Sequence, residues 1–169
     1  MQCMGCRAEW GNDEVLAAMR AHPGRILGYI SLWPASADAV RTEMEKRLAQ
    51  GFMGIKLHCG NGVPYADPAY VPAYELAHER RLPVLFHTWG DDQALRDVRE
   101  VATRYSRAVC ILAHAGCRDE AKYLELARDF PNVYLDTALS QTPRELIERL
   151  VAQAGAERIV FGSDIYFLS

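Results

Sequence analysis

The stretch LPVLFHTWGDDQALRDVREVATRYSRAVCILAHAG, residues 82–116, contains the pattern that decides the fold. Two short apolar runs, PVLFH and VCILAH, flank a segment whose apolar residues recur at helical spacing: Leu95, Val98, Val101 and Ala102. Both runs are continuously apolar rather than alternating, which is typical of parallel strands covered on both faces. The stretch therefore predicts a strand, a helix and a second, parallel strand.

The same alternation extends over the whole chain. Strand-like runs begin near Ile26, Met53, Pro83, Val109, Asn132 and Arg158. Successive runs are separated by one amphipathic segment each, which is the organisation of repeated βα units. Helix N-caps are predicted at Asn12, Ser36, Asp91, Asp119 and Thr142, the last within a capping box, and helix ends at Gly51 and Gly155.

The length of 169 residues limits the architecture. A complete (β/α)8 barrel takes about 250 residues, and six βα units already use the whole chain. The first helix, expected near residues 12–22, has no strand before it, and the chain stops five residues after Asp164. We predict one domain, residues 1–169, that forms part of a (β/α)8 TIM barrel with six parallel strands and is truncated at both ends. A complete open α/β sheet is the alternative.

Composition excludes several classes of function. The chain is 50% hydrophobic and 24% charged, with a net charge of -3, which is typical of a soluble globular protein. Its 19 basic and 22 acidic residues are interspersed, so no nucleic-acid or membrane partner is expected. Neither a signal peptide nor a membrane span is visible, and the five cysteines are odd in number, so we expect a cytoplasmic protein with reduced thiols. The expected partner is a small molecule or another copy of the chain.

Polar residues gather where the apolar runs end. His58, His87, His114 and Asp164 each close one run, and Lys56 precedes His58 by two positions and points the same way. The carboxyl ends of parallel strands form the functional face of α/β folds. One histidine at a strand end is more often structural than a ligand, but three histidines, a carboxylate and an amine on one rim favour a functional site.

Two cysteine motifs are weaker. Cys3 and Cys6 have the spacing of a redox or zinc pair, but no second pair exists, and we assign them no function. Cys117 follows His114 by three residues, yet it lies beyond the turn, which argues against a Cys/His nucleophile.

The chain resembles the amidohydrolase superfamily, specifically the amidohydrolase-related branch that includes aminocarboxymuconate-semialdehyde decarboxylase. The resemblance covers most of the chain and rests on the order and spacing of five motifs: GFMGIKLH (51–58), LPVLFHTW (82–89), ILAHAG (111–116), FPNVYLDTA (130–138) and RIVFGSD (158–164). It implies that the six strands correspond to the third to eighth strands of a metal-dependent TIM barrel.

The resemblance also implies roles for single residues. His87 is similar to the metal ligand of the fifth barrel strand, and His114 to the sixth-strand histidine that contacts metal or substrate. Asp164 is similar to the eighth-strand aspartate that binds metal and transfers protons. His58 and Lys56 belong to the fourth-strand rim, where weak substrate contacts are expected and packing under the site is the stronger interpretation of Lys56.

The activity implied by the resemblance is hydrolysis of an amide, ester or lactone bond of a small molecule, assisted by a divalent metal, with Zn²⁺ the first candidate. Decarboxylation of an aromatic or unsaturated acid is an alternative, and a non-catalytic barrel fragment is another. The family's first strand contributes a His-x-His pair to the metal, and no His-x-His occurs in this sequence. We therefore expect weak zinc binding and little turnover from the chain as it stands.

Overall fold

The computed structural model describes residues 8–139 and 142–165. Within these ranges, six strands form one sheet in sequential order. The strands are β1 (Tyr29–Ser31), β2 (Gly54–Leu57), β3 (Pro83–His87), β4 (Val109–Ala113), β5 (Val133–Asp136) and β6 (Ile159–Val160). Every neighbouring pair is parallel. This order confirms the predicted arc of a partial α/β barrel and excludes a doubly wound sheet.

Six α-helices connect and precede the strands in the described part of the chain. They are α1 (Ala8–Ala21), α2 (Ala37–Ala49), α3 (Val71–Arg80), α4 (Asp92–Arg104), α5 (Glu120–Asp129) and α6 (Leu146–Ala154). Single 3₁₀ turns lie at Cys59–Asn61, Pro68–Tyr70 and Ala156–Arg158. Among residues 8–139 and 142–165, no helix combines the length and apolar character needed to cross a bilayer.

The core lies between the sheet and its helices. Alternate strand residues are fully buried there, because successive side chains of a strand point to opposite faces: Ile55, Leu57, Val84, Phe86, Cys110, Leu112, Val133 and Leu135. On the opposite face, Leu85, Ile111 and Tyr134 are only half-buried. The helix-covered face therefore supplies most of the packing, and the inner face of the arc is partly open.

Helix starts at Ser36 and Asp91 confirm the predicted N-caps. The Ser36 hydroxyl accepts a hydrogen bond from the Ala39 amide at 3.1 Å, and the Asp91 carboxylate accepts one from the Ala94 amide at 3.0 Å. Each bond satisfies an amide that has no partner within its helix. Asp119 directly precedes α5, although its side chain makes no capping bond.

The predicted cap at Asn12 is wrong, because Asn12 lies inside α1 and is buried. The predicted capping box at Thr142 is also wrong. Helix α6 begins only at Leu146, and Glu145 before it has a φ of 60°. This left-handed residue interrupts the helical backbone, so the Thr142 hydroxyl is too far along the chain to cap α6. The helix ends predicted at Gly51 and Gly155 are confirmed, because α2 and α6 stop just before these residues. Both glycines have a positive φ, of 92° at Gly51 and 88° at Gly155.

Candidate active site

Three of the predicted site residues meet at the carboxyl edge of the sheet. His58 follows β2, His87 ends β3, and His114 follows β4. The ring centroids of His58 and His87 are 4.0 Å apart, and those of His87 and His114 are 4.7 Å apart. The pairing of Leu57 with Phe86 places His58 beside His87, so the strand register itself brings the first two rings together.

The hydrogen bonds of the histidines determine which nitrogen atoms carry protons. His114 Nδ1 contacts the carbonyl oxygen of Ala138, which can only accept, so Nδ1 must be the donor. In a neutral ring, Nε2 of His114 is then an acceptor, and it lies 3.3 Å from Nδ1 of His87. His87 Nδ1 therefore donates, which leaves the Nε2 lone pair of His87 free to bind a metal ion.

The surroundings of His58 and His87 favour their neutral forms. Burial, together with the nearby charges of His58, Lys56 and His114, lowers the pKa of His87 to about 3. Burial also lowers the pKa of His58, with a contribution from Lys56, whereas Asp164 opposes the change. A neutral imidazole is the form that coordinates metals.

Lys56 lies on the inner face of the sheet and is only 4% exposed. Burial lowers its pKa to about 8, and the carboxylates of Asp136 and Asp164 partly oppose that change. Asp164, half-buried after β6, thus acts electrostatically on both Lys56 and His58. Each residue predicted for the site therefore lies at, or acts electrostatically on, this edge of the sheet.

Asp136 organises the loop that holds His114. Its carboxylate accepts a hydrogen bond from the Ala138 amide at 2.9 Å, and its carbonyl accepts one from the Ala115 amide at 2.9 Å. Burial raises the pKa of Asp136, while hydrogen bonds from the backbones of Ala138 and His114 oppose the rise. A side chain at Gly162 would overlap the Asp136 carboxylate, which explains the glycine in the RIVFGSD motif.

Two site residues have strained backbones. His114 has a φ of 61° and Asp164 a φ of 46°, a region that L residues adopt at a cost of about 1–3 kcal/mol. The Ala138 and Asp136 bonds hold His114 in this conformation. Strained backbone conformations that neighbouring hydrogen bonds hold in place are typical of functional sites.

A second layer of hydrogen bonds fixes the strand ends beneath the rings. The Tyr65 hydroxyl donates to the His87 carbonyl at 2.6 Å, and the Thr88 hydroxyl donates to the Ala113 carbonyl at 2.5 Å. The Tyr123 hydroxyl in turn donates to Thr88 Oγ1 at 3.0 Å. This layer restricts the movement of β3 relative to β4.

Sequence reasoning missed two residues of this edge. Trp89 stacks on His114 with ring centroids 4.7 Å apart and meets the edge of His87 at 5.5 Å. Cys59, directly after His58, lies with the nitrogen atoms of His58 and His87 in a group whose ligand atoms are all within 4.8 Å of one another. The sequence could have indicated Trp89, because it lies two residues after His87. It could not have indicated Cys59, because only the turn after β2 brings this residue to the site.

The donor atoms of this edge suit a metal ion. Imidazole nitrogen and thiol sulfur favour borderline ions such as Zn²⁺ over Mg²⁺ or Ca²⁺, which prefer oxygen. The free Nε2 of His87 and the Asp164 carboxylate, which acts electrostatically on Lys56 and His58, are the donor types of the ligand set implied by the resemblance. The residues present therefore fit a divalent metal.

The sequential parallel sheet with a histidine-lined carboxyl edge defines a partial α/β barrel. The profile of the Amidohydrolase family matches residues 2–169, and the chain belongs to this family. Comparison with curated proteins gives no significant match.

Solved structures agree with this fold. An uncharacterised TIM-barrel protein from Bordetella bronchiseptica superposes with a TM-score of 0.82 at 20% identity, over 96% of this chain and 64% of that one. A 2,6-dihydroxybenzoate decarboxylase from Rhizobium gives 0.72 at 15% identity, over 96% and 67%. A zinc-bound amidohydrolase from Burkholderia multivorans gives 0.64 at 14% identity, over 91% and 64%. The chain thus spans less than two thirds of the length of the Bordetella structure.

Proposed function

We propose that this chain contributes the active site of a metal-dependent hydrolase that cleaves an amide, ester or lactone bond of a small molecule. One observation carries the proposal: the hydrogen bonds from His87 to His114 and from His114 to Ala138 leave the Nε2 lone pair of His87 free at the carboxyl edge of the sheet. Membership of the amidohydrolase family supports it.

His87 and Asp164 would hold the metal. A divalent ion bound there supplies Lewis acidity, which polarises a carbonyl group and eases the deprotonation of water. The half-buried Asp164 carboxylate accepts a proton from the attacking water and returns it to the leaving group.

His114 acts on His87. Both of its ring nitrogens are engaged, one with Ala138 and one with His87, so it fixes the tautomer and orientation of the proposed ligand. The role implied by the resemblance, a direct contact with metal or substrate, stays a prediction. It requires His114 to exchange its hydrogen bond with His87 for one with the substrate.

Lys56 and His58 would bind the substrate from the fourth-strand position of the rim. With a pKa of about 8, Lys56 is mostly protonated at neutral pH and offers a cation to an acidic group. The buried position strengthens that interaction, because little water screens it.

Decarboxylation of an aromatic acid is a second candidate, and Trp89 favours it. The indole ring is 37% exposed and stacks beside the histidines, so it can receive an aromatic ring while Lys56 binds the carboxylate. The similarity to a 2,6-dihydroxybenzoate decarboxylase is compatible with this candidate.

Reconstitution with Zn²⁺ tests the proposal. The metal-loaded protein is assayed with a panel of lactones, esters, amides and aromatic acids, and the products distinguish hydrolysis from release of carbon dioxide. We expect slow but measurable hydrolysis and a loss of at least about 100-fold in kcat for Asp164→Asn. Asp38→Asn, an exposed change on α2, is the matched control and should leave kcat unchanged. Equal activity of the Asp164→Asn and parent proteins would contradict the proposal.

A further inference from the structure

We propose that His58, Cys59 and His87 together form a thiolate-containing site for a borderline divalent metal such as Zn²⁺. Their ligand atoms all lie within 4.8 Å of one another. The inference rests on the proposed function, because it names ligands for the metal that this function requires. It adds two donors, His58 and Cys59, that the resemblance did not assign to a metal. His58 is then a metal ligand in place of the substrate contact named above, and Lys56 alone keeps that contact.

Chain geometry explains how adjacent residues can share one ion. Successive side chains of a strand point to opposite faces, so His58 and Cys59 could not converge within β2. The strand ends at Leu57, and Cys59 begins the 3₁₀ turn Cys59–Asn61. The turn redirects the chain and brings the Cys59 thiol to the same side as the two imidazoles.

The turn is fixed by contacts outside the proposed ligands. The Asn61 amide donates to the Leu32 carbonyl at 2.8 Å and to the Tyr70 hydroxyl at 2.9 Å. Gly62 closes the turn at a φ of 79°, and its amide donates to the Cys59 carbonyl. These bonds hold the position of Cys59 before any metal binds, which reduces the entropic cost of assembling the site.

The two imidazoles differ in how readily they bind. His87 presents a free Nε2 lone pair, because its Nδ1 donates to His114. His58 Nδ1 accepts a hydrogen bond from the Gly60 amide at 2.8 Å, so its Nε2 carries the proton. Metal binding through either nitrogen of His58 exchanges the Gly60 hydrogen bond for a coordination bond. The Cys59 thiol releases its proton to solvent when sulfur binds the metal.

The donor set selects the class of metal. One thiolate and two imidazoles suit Zn²⁺ or Co²⁺ in tetrahedral geometry and are poor ligands for Mg²⁺ and Ca²⁺. These three donors would leave a fourth position, which the Asp164 carboxylate or a water molecule would occupy. The exposure of Cys59 provides a path by which the ion can enter.

Cobalt binding tests the ligand set directly, because a sulfur–cobalt bond produces a near-ultraviolet charge-transfer band. The experiment uses the full chain with Cys3→Ser and Cys6→Ser, so that the cysteine pair near the amino terminus cannot contribute to the signal. Cys59→Ser and His58→Ala are the test variants, with Cys117→Ser and His22→Ala as matched controls. Chelator competition gives the Zn²⁺ affinity of each protein, and circular dichroism verifies folding.

We expect the charge-transfer band in the background protein and in both controls. Cys59→Ser should abolish the band, and each test variant should weaken Zn²⁺ binding by at least about 100-fold. Cobalt binding without the band, or unchanged Zn²⁺ affinity in Cys59→Ser, would overturn the ligand set and leave the proposed function standing. A background protein that binds neither ion would overturn both. A band that persists in Asp164→Asn while kcat falls would support both.

Discussion

Lys56 shows how a single residue can favour function over stability. Its amine is almost completely buried on the inner face, and burial lowers its pKa from 10.5 to about 8. The folded protein therefore holds the lysine proton less tightly than the unfolded chain does. A charged amine kept in such a position destabilises the fold and is available to bind an acidic group.

Lys56→Met should stabilise the metal-free protein at pH 7 by up to roughly 3 kcal/mol, because a shift from 10.5 to about 8 corresponds to that free energy. Between pH 8 and 10.5 the unfolded chain binds more protons at this position than the folded protein. The stability of the parent should therefore rise relative to the variant in that window. Urea unfolding with EDTA at pH 7 and pH 9.5 measures the difference, and an equal gap at both values would refute the prediction.

Cysteine reactivity should follow burial. Burial raises the pKa of Cys110 to about 12, so its reactive thiolate form is nearly absent at pH 8. Cys59 is exposed. We expect iodoacetamide to label Cys59 and leave Cys110 unmodified in the native protein, as peptide mass spectrometry would show. Labelling in denaturant is the control, and comparable native rates at both positions would show that β4 is not packed as described.

At the scale of elements, Asn12 secures the edge of the sheet. Its amide donates to the Ser31 carbonyl at 2.9 Å, and its side-chain oxygen accepts from the Ser31 amide at 2.9 Å. The same amide donates to Glu43 at 2.8 Å. Helix α1 thus provides both hydrogen bonds that a further strand would give to Ser31, and it also connects β1 to α2.

Asn12→Leu should lower the free energy of unfolding by about 2–4 kcal/mol, because it removes two buried hydrogen bonds between Asn12 and the Ser31 backbone. Asn12→Asp should also destabilise, since a carboxylate cannot donate to the Ser31 carbonyl and would lie beside Glu43. Glu14→Gln, which changes an exposed residue of the same helix, is the comparison. Chemical denaturation measures all three, and a loss for Asn12→Leu no larger than that for Glu14→Gln would show that this edge contact is unimportant.

The whole molecule is an arc whose two faces differ. The helix-covered face is tightly packed, whereas half-buried Leu85, Ile111 and Tyr134 line the inner face. The proposed metal ligands come from the ends of β2 and β3 and from the segment after β6, which lie far apart along the sheet. A metal bound by these segments would connect elements at both sides of the arc.

Zinc should therefore raise the melting temperature of the chain. At a concentration 100 times its Kd, a ligand that binds only the folded state adds about 2.7 kcal/mol, which corresponds to roughly 5–10 °C for a domain of this size. His87→Ala should abolish the increase, and His22→Ala, a change at an exposed turn, should retain it. Differential scanning calorimetry with and without EDTA measures the effect. An equal zinc response in His87→Ala would exclude His87 as a ligand.

The sequence by itself determined the order of elements and the location of the site. Apolar runs and helical periodicity depend on near neighbours in the chain, so they predicted six parallel strands and placed His58 and His87 at one edge. The caps at Ser36 and Asp91 followed for the same reason, since a cap bonds to its own helix. The family resemblance rested on motifs at these same strand ends.

Only the tertiary structure decided the contacts between distant segments. Asparagine is a residue type that often caps helices, but Asn12 lies within α1. There its side chain bonds to the carbonyl and the amide of Ser31 at the edge of β1. The free nitrogen of His87 depends on a carbonyl 24 residues beyond His114. Cys59 reaches the histidines only because the chain turns after β2. Such contacts depend on packing in three dimensions, which local periodicity does not encode.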